Sequence, residues 1–481
     1  MEGVQLALTN FTKTKILATI GPASESVEKL TQLVQAGVDV FRLNMGHMDH
    51  DRARLVIGRI RAISSRVGIL VDLQGPKIRL TELDETFKLA PGEVVKISGG
   101  DKTSSRKMLY IPFVELIAKL QPGHRILIDD GLVQLRVTEA SSKGALVCES
   151  LNASTVKGRK GVSAPDLCLV PDEYLDKDDI ADIRFAVRSQ VDFVAASFVS
   201  QPSDVEAIRN LLDASKNHIH IIAKIESRIG VNNIEEILAT ADGIMVARGD
   251  LGVEIPPEEV PVVQKRIIRL CNEKAKPVVV ATQMLDSMIQ HPIASRAETS
   301  DVANAILDGT DALMLSGETS VGKYPVEAVR TMARISGYIE KEGLLRQDRF
   351  NRPSNNAVEF VCRAAARGAD ELGLKAIVSL TASGFTARNM ASFHPTVPIF
   401  ATTPNQYVVR RLALSYGTYC IQAEHIGRYN VMLYRSLQKL KDLNLLQDDD
   451  LVAVIGGVPV GQPGSTNLLQ VETVRVLMTV E

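Results

Sequence analysis

The sequence predicts an α/β protein: a (β/α)8 TIM barrel with an inserted all-β domain after strand 3 and a C-terminal α/β domain. Eight short apolar runs indicate buried parallel strands, because strands covered on both faces are hydrophobic along their length. Helical patterns fill the gaps between them, at spacings that suit β-α repeats. The eight runs are residues 15–20, 38–43, 69–73, 193–197, 220–225, 243–247, 277–281 and 312–315.

The segment between the third and fourth runs has a different pattern. It contains strand-like stretches at 94–97, 125–128, 133–137 and 145–147, with turn residues at Asp130-Gly131 and Lys143-Gly144. An insertion after a barrel strand lies over the face where barrel enzymes place their active sites. We therefore expect this all-β domain to act as a lid.

The last quarter of the chain predicts a separate α/β domain. A charged stretch at 346–353 indicates a linker, and a helix is predicted over 357–372 with Gly373 as its cap. Strands are expected at 375–380, 398–401, 418–421 and 451–455. The predicted boundaries are a tail at 1–11, the barrel at 12–81 and 164–345, the lid at 82–163, and the C-terminal domain at 346–481.

Composition excludes several classes of protein. The net charge of −2 over 481 residues argues against nucleic acid or an anionic membrane as the main partner. No apolar run approaches the ~20 residues that span a bilayer, and no secretory signal is expected at the amino terminus. The five cysteines are scattered without a CxxC pair, which favours a reducing, cytoplasmic location over disulfides or zinc.

Seven of the eight predicted strands end in polar groups. A single polar residue at a strand end is commonly a solvated loop residue. Seven together would converge on one face of one barrel, which predicts an active site. They are Arg42 with Asn44, Asp72 through Arg79, Ser197, Lys224 with Glu226, Arg248 with Asp250, Thr282, and Ser316 with Glu318.

Two carboxylates on neighbouring strand ends predict a metal site. Glu226 and Asp250 offer hard oxygen ligands, which suit Mg2+ (or Mn2+) better than zinc. The alternative is a structural ion pair with Lys224 or Arg248. We favour metal binding, and we expect Arg248 to be a structural ion-pair partner within the barrel end.

The remaining strand-end groups suit an anionic substrate. Gly249 lies in a glycine-flanked turn whose N–H groups could face a carboxylate, and Thr282 adds a hydroxyl. Lys224 is a compact cation for a phosphoryl group and a developing enolate. Arg42 and Arg79 supply forks for phosphate oxygens. Such groups together with Mg2+ are the parts that phosphoryl transfer requires.

Six motifs along the chain resemble pyruvate kinase, and the resemblance covers nearly its whole length. They are KILATIGPAS (15–24), DLQGPKIR (72–79), KIE (224–226), MVARGDLGVEI (245–255), ATQMLDSM (281–288) and MLSGET (314–319).

The resemblance implies transfer of the phosphoryl group of phosphoenolpyruvate to ADP, giving ATP and, after protonation of the enolate, pyruvate in glycolysis. It implies catalytic roles for Arg42, Lys224, Thr282 and Ser316, the last two in the region of proton delivery. Substrate binding is expected at Arg42, Lys224, Gly249, Asp250 and Thr282. Nucleotide binding is expected at Asn44, His47, Arg79 and Lys160, and metal binding at Glu226 and Asp250. A homotetramer is also implied.

Two strand ends depart from the common family pattern. Many members have Asn-Phe-Ser-His-Gly where this chain has Asn44-Met-Gly-His-Met48, so a hydroxyl that helps hold K+ is missing. Potassium-dependent members have Asp-Thr-Lys-Gly-Pro-Glu where this chain has Asp72-Leu73-Gln-Gly-Pro-Lys77. An ammonium at Lys77 would place a fixed positive charge near the K+ position. We predict that the region of Asn44, Asp72, Leu73 and Lys77 makes K+ unnecessary.

A loop in the C-terminal domain predicts an effector site. Hydroxyls and a glycine between a strand and a helix can form a phosphate-binding nest, and in the family this loop binds a phosphorylated allosteric effector. The alternative is a helix cap without a ligand. The residues are Thr381, Ser383, Gly384, Phe385 and Thr386.

Two other classes of protein fit the sequence less well. An aldolase or carbon–carbon lyase acting on pyruvate enolate would also use a carboxylate pair and Mg2+, but it needs no nucleotide lid, Arg79 or Lys160. A catalytically inactive sensor would have little reason to retain Lys224, Glu226 and Asp250.

Overall fold

The computed structural model describes residues 11–76, 78–140, 144–167, 174–213, 218–343, 354–424, 428–459 and 464–479. The strands are β1 (Lys15–Thr19), β2 (Val40–Asn44), β3 (Gly68–Asp72), β4 (Phe87–Leu89), β5 (Val94–Gly99), β6 (Leu109–Ile111), β7 (Arg125–Ile128), β8 (Val133–Ala140), β9 (Ala145–Ser150), β10 (Ser154–Val156), β11 (Val162–Ser163), β12 (Phe193–Ala196), β13 (His220–Ile225), β14 (Gly243–Ala247), β15 (Val278–Ala281), β16 (Ala312–Leu315), β17 (Ala376–Leu380), β18 (Ile399–Thr403), β19 (Thr418–Gln422), β20 (Leu451–Gly456) and β21 (Leu468–Thr473). Eight of them form a closed parallel barrel at the centre of the molecule, in the order β1-β16-β15-β14-β13-β12-β3-β2, which confirms the predicted fold class.

Helices surround the barrel and cover the C-terminal sheet. Local signals set their ends: the Ser26 side chain caps the first helix and Gly37, in the left-handed region, ends it. Ser295 and Glu298 form a capping box at another. The helices are α1 (Val27–Ala36), α2 (His50–Ile63), α3 (Val114–Lys119), α4 (Lys177–Arg188), α5 (Pro202–Asp213), α6 (Arg228–Asn232), α7 (Ile234–Thr240), α8 (Arg248–Glu254), α9 (Val260–Glu273), α10 (Arg296–Leu307), α11 (Gly317–Ser320), α12 (Pro325–Lys341), α13 (Ala357–Leu372), α14 (Phe385–Ala391), α15 (Gln406–Arg411), α16 (Tyr429–Asp442) and α17 (Val474–Thr479).

The barrel interior is packed with apolar side chains rather than open. Leu17, Phe193 and Met245 belong to one buried cluster with inward-facing residues of the other strands. Leu414 of the C-terminal domain packs into the same cluster and closes the amino end of the barrel. The polar groups of the predicted site therefore lie at the carboxyl ends of the strands.

Four aspartates repeat around the amino end of the barrel, each just before an alternate strand. Each carboxylate accepts a hydrogen bond from the first or second backbone N–H of the preceding barrel strand. The bonds are Asp39 to Ile16 at 3.0 Å, Asp192 to Ile69 at 2.9 Å, Asp242 to Ile221 at 2.9 Å, and Asp311 to Val278 at 3.0 Å. The positions of the four aspartates follow the barrel symmetry. Their carboxylates pair with N–H groups that the sheet leaves without a partner.

The inserted segment forms a six-stranded sheet, β11-β7-β8-β9-β5-β6, and a two-stranded sheet, β10-β4. It also contains the short helix α3, which the sequence pattern did not predict. The Asp129 and Asp130 backbones and Gly131 adopt positive φ at the predicted turn. Lys143 lies outside the described residues. The boundary at residues 81–82 stays a prediction.

The C-terminal sheet has the order β19-β18-β17-β20-β21. Four strands are parallel and match the prediction, while the fifth, β21, pairs antiparallel with β20 and was missed because its mixed sequence lacks a continuous apolar run. The predicted linker at 346–353 lies outside the described residues. Within the described part, four cysteines are free and buried, and no helix is long and apolar enough to cross a membrane.

Candidate active site

The predicted strand-end charges form a connected network at the carboxyl end of the barrel. Arg42 on β2 donates from Nε to Asp72 on β3 at 2.6 Å. The other Asp72 oxygen lies 3.3 Å from the Lys224 ammonium on β13. Lys224 also lies 3.0 Å from Glu226 and donates to the Ser197 hydroxyl at 2.6 Å. Three strands thus bring together four of the predicted residues through ion pairs.

The network holds opposite charges in a buried setting. Burial opposes the charge on Asp72, but Lys224 and Arg42 outweigh it and lower its pKa. Burial likewise opposes the ammonium of Lys224, and Asp72 and Glu226 reverse this, so its pKa is raised. Lys224 is therefore a fixed cation at neutral pH.

Glu226 lies close to two other carboxylates, those of Asp250 and Asp72. Its second oxygen accepts the Phe198 backbone N–H at 2.6 Å, from a residue with positive φ. Burial raises the pKa of Glu226, Lys224 lowers it, and the Asp250 carboxylate raises it again. The repulsion between two carboxylates is what a bound cation would relieve, so this donor pair fits a hard divalent metal.

The metal site is not a preformed protein cage. Among the residues that the structure describes, no group of three or more His, Cys, Asp or Glu side chains is placed to hold an ion. A cation bound by Glu226 and Asp250 would complete its shell with substrate oxygens and water, as Mg2+ commonly does.

Helix α8 begins directly at the end of β14 and presents the predicted glycine turn. The backbone approaches Thr282 closely at Gly249, whose N–H donates to the Thr282 hydroxyl at 2.7 Å. That hydroxyl donates to the Ala281 carbonyl at 2.6 Å, and Thr282 has a positive φ of 69°. A Cβ at Gly249 would lie 3.3 Å from the Thr282 hydroxyl oxygen. The two predicted carboxylate-binding residues are therefore in direct contact.

Ser316 follows β16 with a buried hydroxyl that has no hydrogen-bond partner among the described residues. Its backbone N–H donates to Glu318 at 2.7 Å, and Glu318 also accepts the Leu285 N–H at 3.0 Å. Burial raises the pKa of Glu318. An unpaired buried hydroxyl is a group that a ligand or water can satisfy.

Arg248 makes the structural contacts that the sequence predicts for it. Its guanidinium pairs with Asp301 at 2.7 Å and donates to the Thr282 carbonyl at 2.9 Å. These bonds fix the loop that contains Thr282.

Three of the four residues predicted to bind the nucleotide contact other protein groups in this structure. Asn44 accepts the Gly46 N–H at 3.1 Å, and His47 is exposed. Arg79 is exposed and donates to the Arg159 carbonyl at 3.4 Å, while Lys160 pairs with Asp129 at 2.8 Å. Leu73 is buried, and Lys77 lies outside the described residues.

The predicted effector loop precedes α14. Thr381 accepts the Gly384 N–H at 3.0 Å, and Gly384 has a φ of 86°. Ser383 accepts the Phe385 N–H at 3.4 Å, and the Thr386 hydroxyl bonds that of Thr466 at 2.8 Å. The hydroxyls thus serve local turns and a link to the loop after β20.

Sequence reasoning missed one strand end. Thr19 at the end of β1 accepts from Arg42 at 3.0 Å, so the eighth strand also contributes. The predicted run ends one residue later, at Ile20, so Thr19 lay inside the run and gave no strand-end signal. Ser197 was noted only as a strand-end hydroxyl, yet it contacts Lys224 directly.

Two family models match this chain. One, described as pyruvate kinase, barrel domain, matches residues 11–329, and one described as pyruvate kinase, alpha/beta domain, matches residues 359–472. The chain is 45% identical to a pyruvate kinase of Geobacillus stearothermophilus over 477 residues, covering 97% of this chain and 81% of the relative. It is 43% identical to a pyruvate kinase of Staphylococcus saprophyticus, covering 96% and 80%.

A solved structure agrees with this. The crystal structure of a pyruvate kinase from Cryptosporidium parvum has a TM-score of 0.88 and 33% identity, covering 97% of each chain. The barrel, the charges at its strand ends and the two additional domains are those of a phosphotransferase built on a (β/α)8 barrel. The chain belongs to the pyruvate kinase family. That family in general requires a divalent metal ion.

Proposed function

We propose that this protein transfers the phosphoryl group of phosphoenolpyruvate to ADP, giving pyruvate and ATP in glycolysis, with Mg2+ or Mn2+ as cofactor. The main support is the buried Lys224 ammonium, held by Asp72, Glu226 and Ser197 at the strand ends. A cation fixed in this way needs no reorganisation when charge develops on the substrate.

The residues divide the work by their chemistry. Arg42 and Lys224 bind the phosphoryl end, and Lys224 stabilises the enolate that forms when the phosphoryl group leaves. Gly249, Asp250 and Thr282 orient the substrate carboxylate. Glu226 and Asp250 would hold the divalent ion, which would supply positive charge to neutralise the phosphoryl oxygens. Thr282 and Ser316 belong to the region that delivers a proton to the enolate, and the Ser316 hydroxyl, which has no partner among the described residues, supports this.

The nucleotide is proposed to bind beneath the inserted domain, at Asn44, His47, Arg79 and Lys160. Arg79 and Lys160 lie near the two chain crossings between this domain and the barrel, where Arg79 pairs with Gly161. Lid closure would bring these cations to the phosphates and exclude water.

Removing the Lys224 charge tests the function. We expect Lys224→Met to lower ADP-dependent pyruvate formation by about 10²–10³-fold, because the transition-state charge loses its main partner. Lys265→Met, on an exposed lysine paired with Asp308, is the matched control. A Lys224→Met enzyme with a near-normal rate, or a wild-type chain that forms no pyruvate, would contradict the proposal.

We further propose that the enzyme does not require K+. Asp72 is already bound by Arg42 and Lys224, Asn44 accepts the Gly46 N–H, and Gly46 offers no hydroxyl. These observations leave few side-chain oxygens for a monovalent cation. Turnover in tetramethylammonium buffer with Mg2+ should equal turnover in K+. A rise of about tenfold, or ~1.4 kcal/mol, on adding K+ would contradict this.

Regulation and assembly are part of the same proposal. A phosphorylated metabolite would bind at Thr381, Ser383, Gly384, Phe385 and Thr386 and lower the phosphoenolpyruvate requirement. Saturation curves measured with a panel of sugar phosphates and nucleotides test this, with Thr386→Glu as the blocking variant. Light scattering tests the proposed homotetramer.

A further inference from the structure

The chain crosses from the barrel to the inserted domain and back, and the returning segment is hydrogen-bonded to α8, the helix that contains Asp250. β11 ends at Ser163, whose hydroxyl donates to the Glu254 carboxylate. Glu254 is the last residue of α8, and Asp250 lies in the first turn of the same helix. The two carboxylates are four residues apart, roughly 6 Å along the helix axis, so the helix joins them rigidly.

Backbone hydrogen bonds join the two crossing segments to each other. Ile78 and Leu80 on the outgoing segment exchange backbone hydrogen bonds with Val162 and Lys160 on the returning one, each at 2.8 Å. β11 also pairs with β7, so Ser163 is fixed to the lid sheet. A bond at Ser163 therefore acts on the whole inserted domain.

A cavity lies beside the Ser163–Glu254 bond. It has a volume of about 130 Å³ and lies between the inserted domain and the barrel, lined by Phe113 and Leu116 on one side and Phe198 and Val253 on the other. Across this gap the apolar side chains of the inserted domain and the barrel do not fill the space between them. The Ser163–Glu254 bond spans the edge of the gap.

We propose that Glu254 is a positioning residue that holds Ser163 and so sets the angle of the inserted domain over the active site. This rests on the proposed function, in which the domain delivers cations to the nucleotide phosphates. Burial and the nearby Asp250 raise the pKa of Glu254, and the hydrogen bond from Ser163 partly offsets this. In this proposal the effect of Glu254 on the nucleotide passes through Ser163.

Variants that break or keep the bond test the proposal. Ser163→Ala and Glu254→Ala should each raise KM for ADP by about tenfold and leave KM for phosphoenolpyruvate within about twofold. A displacement of the nucleotide-binding groups by ~1 Å is enough for an effect of this size. The double variant should be no worse than either single one, because both remove the same bond. Glu254→Gln keeps an acceptor oxygen and should restore the wild-type KM.

A distance measurement separates this inference from the proposed function. Spin labels at Leu132→Cys on the inserted domain and Val262→Cys on α9 occupy exposed positions, and the same chain without these cysteines controls for background labelling. Breaking the bond should broaden the distance distribution between the labels, and Glu254→Gln should not. An unchanged distribution, or equal changes in both KM values, would overturn the inference. The distances remain decisive even if the chain forms no pyruvate.

Discussion

The two ends of the barrel both bury charged side chains, but they use them differently. At the amino end, Asp39, Asp192, Asp242 and Asp311 repeat before alternate strands, and each accepts the N–H of a neighbouring strand. At the carboxyl end, Arg42, Asp72, Lys224 and Glu226 follow no repeat. Charges that pair with the N–H groups of the sheet follow the barrel symmetry, whereas the paired charges at the carboxyl end do not.

The ends also differ in how fully their polar groups are satisfied. Asp192 accepts from Arg61 at 2.6 Å, from Arg410 of the C-terminal domain at 2.7 Å and from the Ile69 N–H at 2.9 Å. At the other end Glu226 and Asp250 repel each other, and the Ser316 hydroxyl has no described partner. Polar groups without partners cost stability, and a ligand that paired with them would recover it.

Removing Asp192 should give the largest change in stability. Asp192→Ala leaves two partly buried guanidiniums without their carboxylate, and we expect a loss of about 3–5 kcal/mol in the free energy of unfolding. Turnover per folded molecule should stay within about twofold, since the site is at the opposite end. Urea unfolding and activity on the same samples measure both. Asp449→Ala, at an exposed pair with Arg475, is the control.

Glu226→Gln should show the reverse pattern. We expect turnover to fall by about 100-fold, or ~2.7 kcal/mol, with a higher Mg2+ concentration for half-saturation. The free energy of unfolding should change by less than about 1 kcal/mol, because the variant removes both the Lys224 pair and the repulsion from Asp250. If stability fell as it does for Asp192→Ala, the distinction between the ends would be wrong.

The sequence predicted the barrel and the central charges for a physical reason. Buried parallel strands are continuous apolar runs, so a charge at the end of a run such as Ile225-Glu226 is conspicuous. Thr19 was missed because threonine is common within strands. β21 was missed because an edge strand need not be apolar. The Ser163–Glu254 bond joins residues 91 positions apart, and no local pattern in the sequence indicates such a contact.

The free energy of unfolding should also depend on pH through a histidine at the amino end of the barrel. His220 begins β13, and its Nε2 accepts from Arg411 of α15 at 2.8 Å. Burial, with a contribution from Arg411, lowers the pKa of His220 to about 3 despite Asp242. The folded state favours the neutral ring, so this stabilisation is complete above pH ~6.5 and is lost as pH falls towards 3. A pKa shift from 6.5 to about 3 is equivalent to at most about 5 kcal/mol.

Glutamine keeps an acceptor for Arg411 without titrating. The free energy of unfolding, measured in urea between pH 4.5 and 7, should therefore fall less steeply in His220→Gln than in the wild type, and His291→Gln controls for the loss of one histidine. Parallel curves would mean that Arg411 does not hold His220 neutral, and that the amino end contributes to stability only through its aspartates.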